Sequence, residues 1–482
     1  MQEYPAPDGI VVFKYRFQTA GGFKEKGCFL MNNGDRERNR DMDQDHDHDG
    51  EQEFFEVPTP KSPLHFTASV PGSKSITNRA LLIAALAEGR TVLRNVLFSD
   101  DSISFMDCLK KLGFQIEISA EDYMVQVNGQ AGTIPFGEGE INVGSAGTAA
   151  RFITAMLAIS RGRYGVQASS QMMARPMKPL LDPLRSLGVE FEFLKKADFL
   201  PYIEHSNGFQ GGRVVMDASQ SSQFLSALLL VGCYGARDLE IELSGALAAK
   251  PYIEMTLRMM RDFGVQVNNE NFQKFRIPHG RQYRGMDYVI EPDVSNASYF
   301  WAMAVLTGGS VFLEGVRLDS LQGDIGFLEV LKKLGSQVTE QEEGIRLEGP
   351  PGGVFPGIDV DLGGMPDQTM TLAALAPFAT SPTHIRNVSL IKYHESNRIA
   401  AIINELTRLG IACEETPTGI KIYPGSPRAA AIETYHDHRM AMAFSLIGLR
   451  APGIQIKNPR CTAKTFADYF QCFRQAVETG NR

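Results

Sequence analysis

Leu109-Lys-Lys-Leu-Gly113 runs straight into Phe114-Gln-Ile-Glu-Ile118, and this short stretch sets the reading of the whole chain. A helix-like segment ends on a leucine and a glycine, the residue best suited to the left-handed backbone that closes a helix. The next five residues alternate apolar and polar with the period of a strand. The same phrase returns as Leu184-Arg-Ser-Leu-Gly188 before Val189-Glu-Phe-Glu-Phe193, then as Met260-Arg-Asp-Phe-Gly264, Leu331-Lys-Lys-Leu-Gly335 and Glu405-Leu-Thr-Arg-Leu-Gly410. The glycines recur about every 75 residues, and the chain ends about one period further on, near residues 476–480. So regular a return predicts five or six copies of one α/β unit. Residues 80–87, 224–231 and 370–376 are apolar nearly all round. Helices with no polar face belong in an interior, with the strands outside them.

The chain of 482 residues, 43% hydrophobic, can bury a sizeable core and by length should hold two domains. Of its net charge of −8, about six negative charges sit in residues 35–53 alone, so the rest is close to neutral. A nucleic-acid protein should show a basic surplus instead. Anionic small molecules stay open, because a few cations can be focused in one cleft. Cys28, Cys108, Cys233, Cys413, Cys461 and Cys472 form no Cys-x-x-Cys pair and read as free thiols in a reducing compartment. No apolar run reaches the roughly 20 residues of a membrane span. The N-terminus has no basic start ahead of an apolar run, so a cytoplasmic location is expected. Residues 1–56 form an acidic extension expected to be disordered, since its polar part cannot bury enough surface to offset its ordering entropy. Within it, Asp45-His-Asp-His-Asp49 has metal-ligand types but reads better as a solvated tail.

The chemistry-bearing motifs cluster at expected helix starts. In Val70-Pro-Gly-Ser-Lys-Ser-Ile-Thr-Asn-Arg79, a Pro-Gly turn leads into a helix, where free backbone amides favour an anion. Ser75 and Arg79 share a face four apart, with Lys74 just before them. This is no P-loop, because Ser73 stands where that motif needs glycine. Val143-Gly-Ser-Ala-Gly-Thr-Ala-Ala-Arg151 opens a second helix, and Gly147 there permits close approach of a ligand. Arg175, fixed ahead of Pro176, suits bidentate recognition of carboxylate or phosphate. Ser219-Gln-Ser-Ser-Gln-Phe224 offers the hydroxyls of Ser221 and Ser222 and the amide of Gln223.

In the second half, Gly363-Gly-Met-Pro-Asp-Gln-Thr369 places Asp367 before an apolar helix, as an N-cap or as a general base. Lys392-Tyr-His-Glu-Ser-Asn-Arg398 sets Glu395 and Arg398 on one face, an ion pair that is ordinarily exposed. His436-Asp-His-Arg-Met-Ala-Met442 carries His438 and Arg439; its two histidines lack a third ligand cluster, so no metal is expected. Arg460-Cys-Thr-Ala-Lys464 adds a lysine in a polar loop. Each motif alone is also what a capped helix with solvated cations looks like. Together they make an ordered set of cations, hydroxyls and carboxylates suited to two small anions and acid/base chemistry, with no metal, nucleotide or other cofactor signature.

In order and spacing, these motifs resemble the 5-enolpyruvylshikimate-3-phosphate synthases (3-phosphoshikimate 1-carboxyvinyltransferases), over residues 60–475. Pro-Gly-Ser-Lys-Ser with Asn78-Arg79, Ser-Ala-Gly-Thr-Ala, Ser-Ser-Gln, His-Glu-Ser-Asn-Arg, Asp-His-Arg-Met-Ala and Cys-Thr-Ala-Lys-Thr-Phe are jointly specific. The resemblance implies a two-domain inside-out α/β barrel, each domain three repeats of one α/β unit with buried helices and outer sheets. It implies that the chain crosses twice, giving one domain of residues 57–72 with 292–482 and another of residues 73–291. It further implies transfer of the enolpyruvyl group of phosphoenolpyruvate to the 5-hydroxyl of shikimate 3-phosphate, by a monomer that binds neither nucleic acid nor membrane. The implied ligands of shikimate 3-phosphate are Lys74, Ser75, Arg79, Ser221, Ser222, Gln223, Asp367 and His394. Those of phosphoenolpyruvate are Lys74, Gly147, Arg175, Gln223, Arg398, Arg439 and Lys464. Asp367 and Glu395 are the implied acid/base pair, assisted by Lys74 and His438.

The sequence departs from the commoner family pattern at His394 (usually lysine), Leu390 (asparagine), Ala249 (serine), Ser145 (asparagine) and Phe152 (proline). The losses at Leu390 and Ala249 remove about 1 kcal/mol of hydrogen bonding each. Such changes favour one alternative, a catalytically inactive ligand-binding paralogue, which the other cations and both carboxylates oppose. The sister UDP-N-acetylglucosamine enolpyruvyl transferases usually carry a cysteine in the loop before the arginine at 175, and residues 168–174 contain none.

Overall fold

In a computed structural model of the protein, the backbone is described for residues 10–19, 22–32 and 53–480, and side chains for residues 53–480. The repeated glycines do what their positions require. Gly113, Gly188, Gly264, Gly335 and Gly410 all have φ between 81° and 98°. After each, the next amide reaches back five residues: Phe114 to Leu109, Val189 to Leu184, Val265 to Met260, Ser336 to Leu331 and Ile411 to Leu406, at 2.8–3.1 Å. That bond closes a Schellman motif and satisfies a carbonyl the helix leaves free. The sixth copy ends differently: Gly480 stays within the helix Tyr469–Gly480 and packs on Leu64 and His65.

Six sheets repeat one plan. In five, an edge strand runs parallel to a central strand that pairs with an antiparallel hairpin. Glu138–Asn142 lies parallel to Arg161–Gln167, which pairs antiparallel with Tyr202–Asn207, and that with Glu190–Phe193. The sixth has three strands, Ala430–Ile432, Ile454–Lys457 and Phe54–Glu56. Inside the sheets lie six helices: α1 (Lys74–Leu86), α2 (Gly147–Leu157), α3 (Ser222–Val231), α4 (Val294–Thr307), α5 (Thr369–Leu375) and α6 (His438–Ser445). Nearly every residue of these helices is buried, as expected of segments with no polar face. Six amphipathic helices, among them Arg398–Arg408, complete the units from outside.

Two hydrophobic cores result, one drawn from residues 76–290 and one from residues 55–70 together with 294–477. The chain passes between them at two segments that are stitched together. Ser73 N–H donates to Glu291 O and Asp293 N–H to Pro71 O, both at 2.8 Å, around a bridge between Gly72 and Pro292. A Cβ on Gly72 would stand 1.9 Å from Asn95 O, so this approach demands glycine. Lys74 comes directly after, its amide donating to Asp293 Oδ2 at 3.1 Å. The first motif therefore begins on the crossover itself.

Within residues 1–56 the structure describes three strands. Ile10–Thr19 and Gly22–Asn32 pair as an antiparallel hairpin, and Phe54–Glu56 completes the sixth sheet. In the first of these, Phe13, Tyr15 and Phe17 alternate with Lys14, Arg16 and Gln18 at strand period. Phe55 is buried against the rings of Phe470 and Phe473. The Asp45–Asp49 run lies outside the described residues. Cys108, Cys233, Cys413, Cys461 and Cys472 are free thiols. No helix among the described residues is long and apolar enough to cross a membrane.

One buried carboxyl lies away from every motif. Glu204, on the strand Tyr202–Asn207, is fully buried; Oε1 accepts from Ser206 Oγ at 3.2 Å and Oε2 has no partner. Burial drives its pKa well above the ordinary 4.5, so as pH rises past that value the carboxyl ionises in the unfolded chain before it does in the folded one. Stability should therefore fall as pH rises above about 4.5, by up to about 1.4 kcal/mol per pH unit, until the folded carboxyl itself titrates. Glu204→Gln should match the wild type near pH 4 and melt increasingly above it toward pH 8. Parallel melting curves across that range would refute the assignment.

Candidate active site

The helix starts converge on one cleft between the two cores. It is lined on one side by Lys74, Ser75, Arg79, Gly147, Arg151, Arg175, Ser221, Ser222, Gln223 and Tyr252, and on the other by Asp367, Leu390, His394, Glu395, Arg398 and Arg439. Local sequence explains the openings. Helix α2 has Ala146 at its N-cap, with no side chain to satisfy the first amides, which are left for a ligand. A Cβ at Gly147 would stand 2.4 Å from both Arg151 Nη1 and Arg175 Nη1, so glycine lets two guanidiniums meet the backbone.

The two walls differ in how their charge is met. On the first, Arg79 donates to Thr256 Oγ1 at 2.8 Å, Ser75 O at 2.9 Å, Ser226 Oγ at 3.1 Å and Tyr252 O at 3.3 Å, with Phe152 beneath it at 5.4 Å. Its partners are all neutral, and burial lowers its pKa to about 10. Arg151, 3% exposed, donates to Gly147 O at 2.9 Å and Gln223 Oε1 at 3.3 Å over the ring of Phe224. Burial first, and then the charge of Arg175, lower its pKa well below the usual value. Arg175 Nε is buried without a partner. Among the described residues, none of these three arginines has a carboxylate within ion-pair distance. Lys74 reaches Asp101 at 3.6 Å.

The second wall is internally neutralised. Arg398, 1% exposed, spends all five N–H donors on protein: Nε and Nη2 on Asp437 at 2.8 and 3.2 Å, Nη1 on Asp367 at 2.8 Å and His394 Nδ1 at 3.1 Å, and Nη2 on Glu395 at 2.8 Å. Arg439 Nη2 takes the other oxygen of Asp367 at 2.8 Å. Burial would raise both Asp367 and Glu395. Arg439 and Arg398 outweigh it at Asp367, as do Arg398, Lys464, Lys74 and Arg175 at Glu395, so both carboxyls are held below their ordinary range. Asp367 is thus no helix cap, and the Glu395–Arg398 pair is buried rather than exposed. Both carboxyl positions are tied to the opposite wall, by Tyr252 O–H to Asp367 Oδ2 at 3.2 Å and Gln171 Nε2 to Glu395 O at 3.1 Å.

Two expected residues do not line the cleft. Lys464 sits behind Glu395, its Nζ 4.0 Å from Oε1 and without a hydrogen-bond partner. His438 is wholly buried with both ring nitrogens unpartnered, and burial and then Lys74 drive its pKa well below 6.5. It is a neutral imidazole behind the cleft wall, and His436 turns instead to Asn458 at 3.1 Å. No group of three or more His, Cys, Asp or Glu among the described residues is arranged to hold a metal ion. Sequence reasoning missed Arg151, Tyr252 and Asp437. An arginine inside the otherwise apolar Ala149-Ala150-Arg151-Phe152-Ile153 was the available signal for the first. Leu390 and Ala249 both line the cleft, Ala249 with φ 46°.

A family model for EPSP synthase (3-phosphoshikimate 1-carboxyvinyltransferase) matches residues 58–473. A 3-phosphoshikimate 1-carboxyvinyltransferase of Nostoc punctiforme is 46% identical over 423 residues, spanning 88% of this chain and 99% of the relative. One from Shewanella loihica is 40% identical over 417 residues, 86% of this chain and 97% of the relative. A solved EPSP synthase of Acinetobacter baumannii shares the fold with a TM-score of 0.75 at 24% identity, covering 88% of this chain and 98% of that one. The match runs through the six-fold repeat and every motif that lines the cleft, and the chain belongs to the EPSP synthase family.

Proposed function

We propose that this enzyme transfers the enolpyruvyl group of phosphoenolpyruvate to the 5-hydroxyl of shikimate 3-phosphate and releases phosphate. The observation that carries the reading is the asymmetry of the cleft. One wall presents three guanidiniums, none within ion-pair distance of a carboxylate among the described residues, facing a wall that holds two carboxylates under arginines. Such a space suits two small polyanions.

Lys74, Ser75, Arg79, Ser221, Ser222, Gln223 and Asp367 would hold shikimate 3-phosphate. Gly147, Arg175, Arg398, Arg439 and Lys464, with Lys74 and Gln223 shared, would hold phosphoenolpyruvate. Glu395 would protonate C3, making C2 electrophilic, as Asp367 takes the hydroxyl proton and oxygen attacks C2. Loss of the C3 proton back to Glu395 then re-forms the double bond as the C2–O bond to phosphate breaks. In the free enzyme the cations keep Glu395 ionised. A bound polyanion offsets that field and raises its proton affinity, which the first step requires. The halves 57–72 with 292–482 and 73–291, already joined by Tyr252 and Gln171, would close to exclude water.

Phosphate release decides the matter: it should appear with phosphoenolpyruvate and shikimate 3-phosphate together, and not with UDP-N-acetylglucosamine in place of the latter. Release with neither acceptor would leave a binding protein.

A further inference from the structure

Under the proposed activity, on which this inference rests, Arg398 poses a problem. A guanidinium with all five donors already engaged cannot grip a substrate anion until one partner lets go. Asp437 is fully buried and also receives Ser396 Oγ at 3.0 Å and Arg439 N–H at 3.0 Å, so it is the least able to leave. Asp367 and Glu395 are ionised partners at 2.8 Å, and charge-assisted bonds of that length are about twice as strong as neutral ones. His394 is the exception: its bond is the longest of those on Nη1, its side chain is 21% exposed, and it lines the cleft.

We propose that His394 is a positioning residue, a placeholder that occupies the Arg398 N–H reserved for an acidic group of phosphoenolpyruvate, and that its displacement sets part of the affinity for that substrate.

The chemistry of the ring supports this. Arg398 can only donate, so Nδ1 accepts and the ring proton lies on Nε2. The groups acting on His394 are Arg398 and Arg175, which disfavour its charge, and Asp367 (3.8 Å from Nδ1) and Glu395, which favour it. Burial is the largest influence, and the balance lowers its pKa to about 4, so the accepting form persists throughout the neutral range. An incoming anion is a stronger acceptor than a neutral imidazole and wins the N–H, and the ring turns away.

The test is a split of kinetic constants. His394→Ala removes the competing acceptor and should lower KM for phosphoenolpyruvate about three- to fivefold, the range of one weak hydrogen bond. His394→Asn keeps an acceptor near the Nδ1 position and should return toward the wild-type KM. In the wild-type enzyme, ¹⁵N imidazole spectra should show the Nε2–H form without ligand and a shift at Nδ1 when phosphoenolpyruvate is added. An unchanged or higher KM for phosphoenolpyruvate in His394→Ala overturns the proposal. So does a rise confined to KM for shikimate 3-phosphate, which makes His394 a plain substrate contact, or an Nδ1 signal that ignores phosphoenolpyruvate. Turnover by the wild type tests the reaction separately, so failure of the placeholder is distinct from failure of the assigned activity.

Discussion

Asp367→Asn is expected to cut turnover about a thousandfold, within the range that loss of a positioned general base produces. Asparagine has nearly the same shape, so the cleft should keep its walls. Its chemistry is wrong on both sides. Asp367 Oδ1 faces Arg398 at 2.8 Å, and Oδ2 faces Arg439 at 2.8 Å and Tyr252 O–H at 3.2 Å. Whichever way the amide turns, its NH₂ meets a guanidinium donor, and the proposed proton acceptor for the substrate hydroxyl is gone. A thousandfold loss is about 4 kcal/mol of barrier, more than a misplaced hydrogen bond explains and in line with a missing proton transfer. Phosphate-release kinetics on protein with a wild-type circular dichroism spectrum is the measurement. Turnover within tenfold of wild type would move the base elsewhere, and Glu395 would be the next residue to change.

Much of this arrangement was legible in the chain because it is local. A helix-closing glycine needs one backbone conformation, so Leu-Gly before an alternating run announces the unit wherever it occurs, and five such glycines adopt it. A segment with no polar face, such as residues 224–231, can only be interior. What could not be read is what depends on the two halves meeting. Tyr252 and Asp367 are 115 residues apart, and nothing in either motif announces their contact. Asp437 is the N-cap of α6, accepting Arg439 N–H at 3.0 Å, and its second task under Arg398 arises only from tertiary packing. Arg398 itself reads in sequence as half of an exposed i,i+3 pair, whereas the fold buries it under three carboxylates.

Arg398→Met should damage both the fold and the chemistry, and the two losses can be separated. Methionine fills much of the space with no donors, leaving Asp437, fully buried, with only a serine hydroxyl and a backbone amide. Breaking a buried pair by removing one partner costs about 3–5 kcal/mol, because the remaining charge stays buried. Asp437→Asn in the Arg398→Met background removes that charge and should recover most of the lost stability near neutral pH. It should not recover turnover, because Asp367 and Glu395 still lack the guanidinium that ties them together. A double variant that regained activity with its stability would show that Arg398 serves only the fold. A single variant that melted like wild type would mean that Asp437 does not depend on it. The expected pattern, rescue of one property without the other, comes from a single side chain whose donors are divided between a buried anchor and the two carboxyls proposed to move protons.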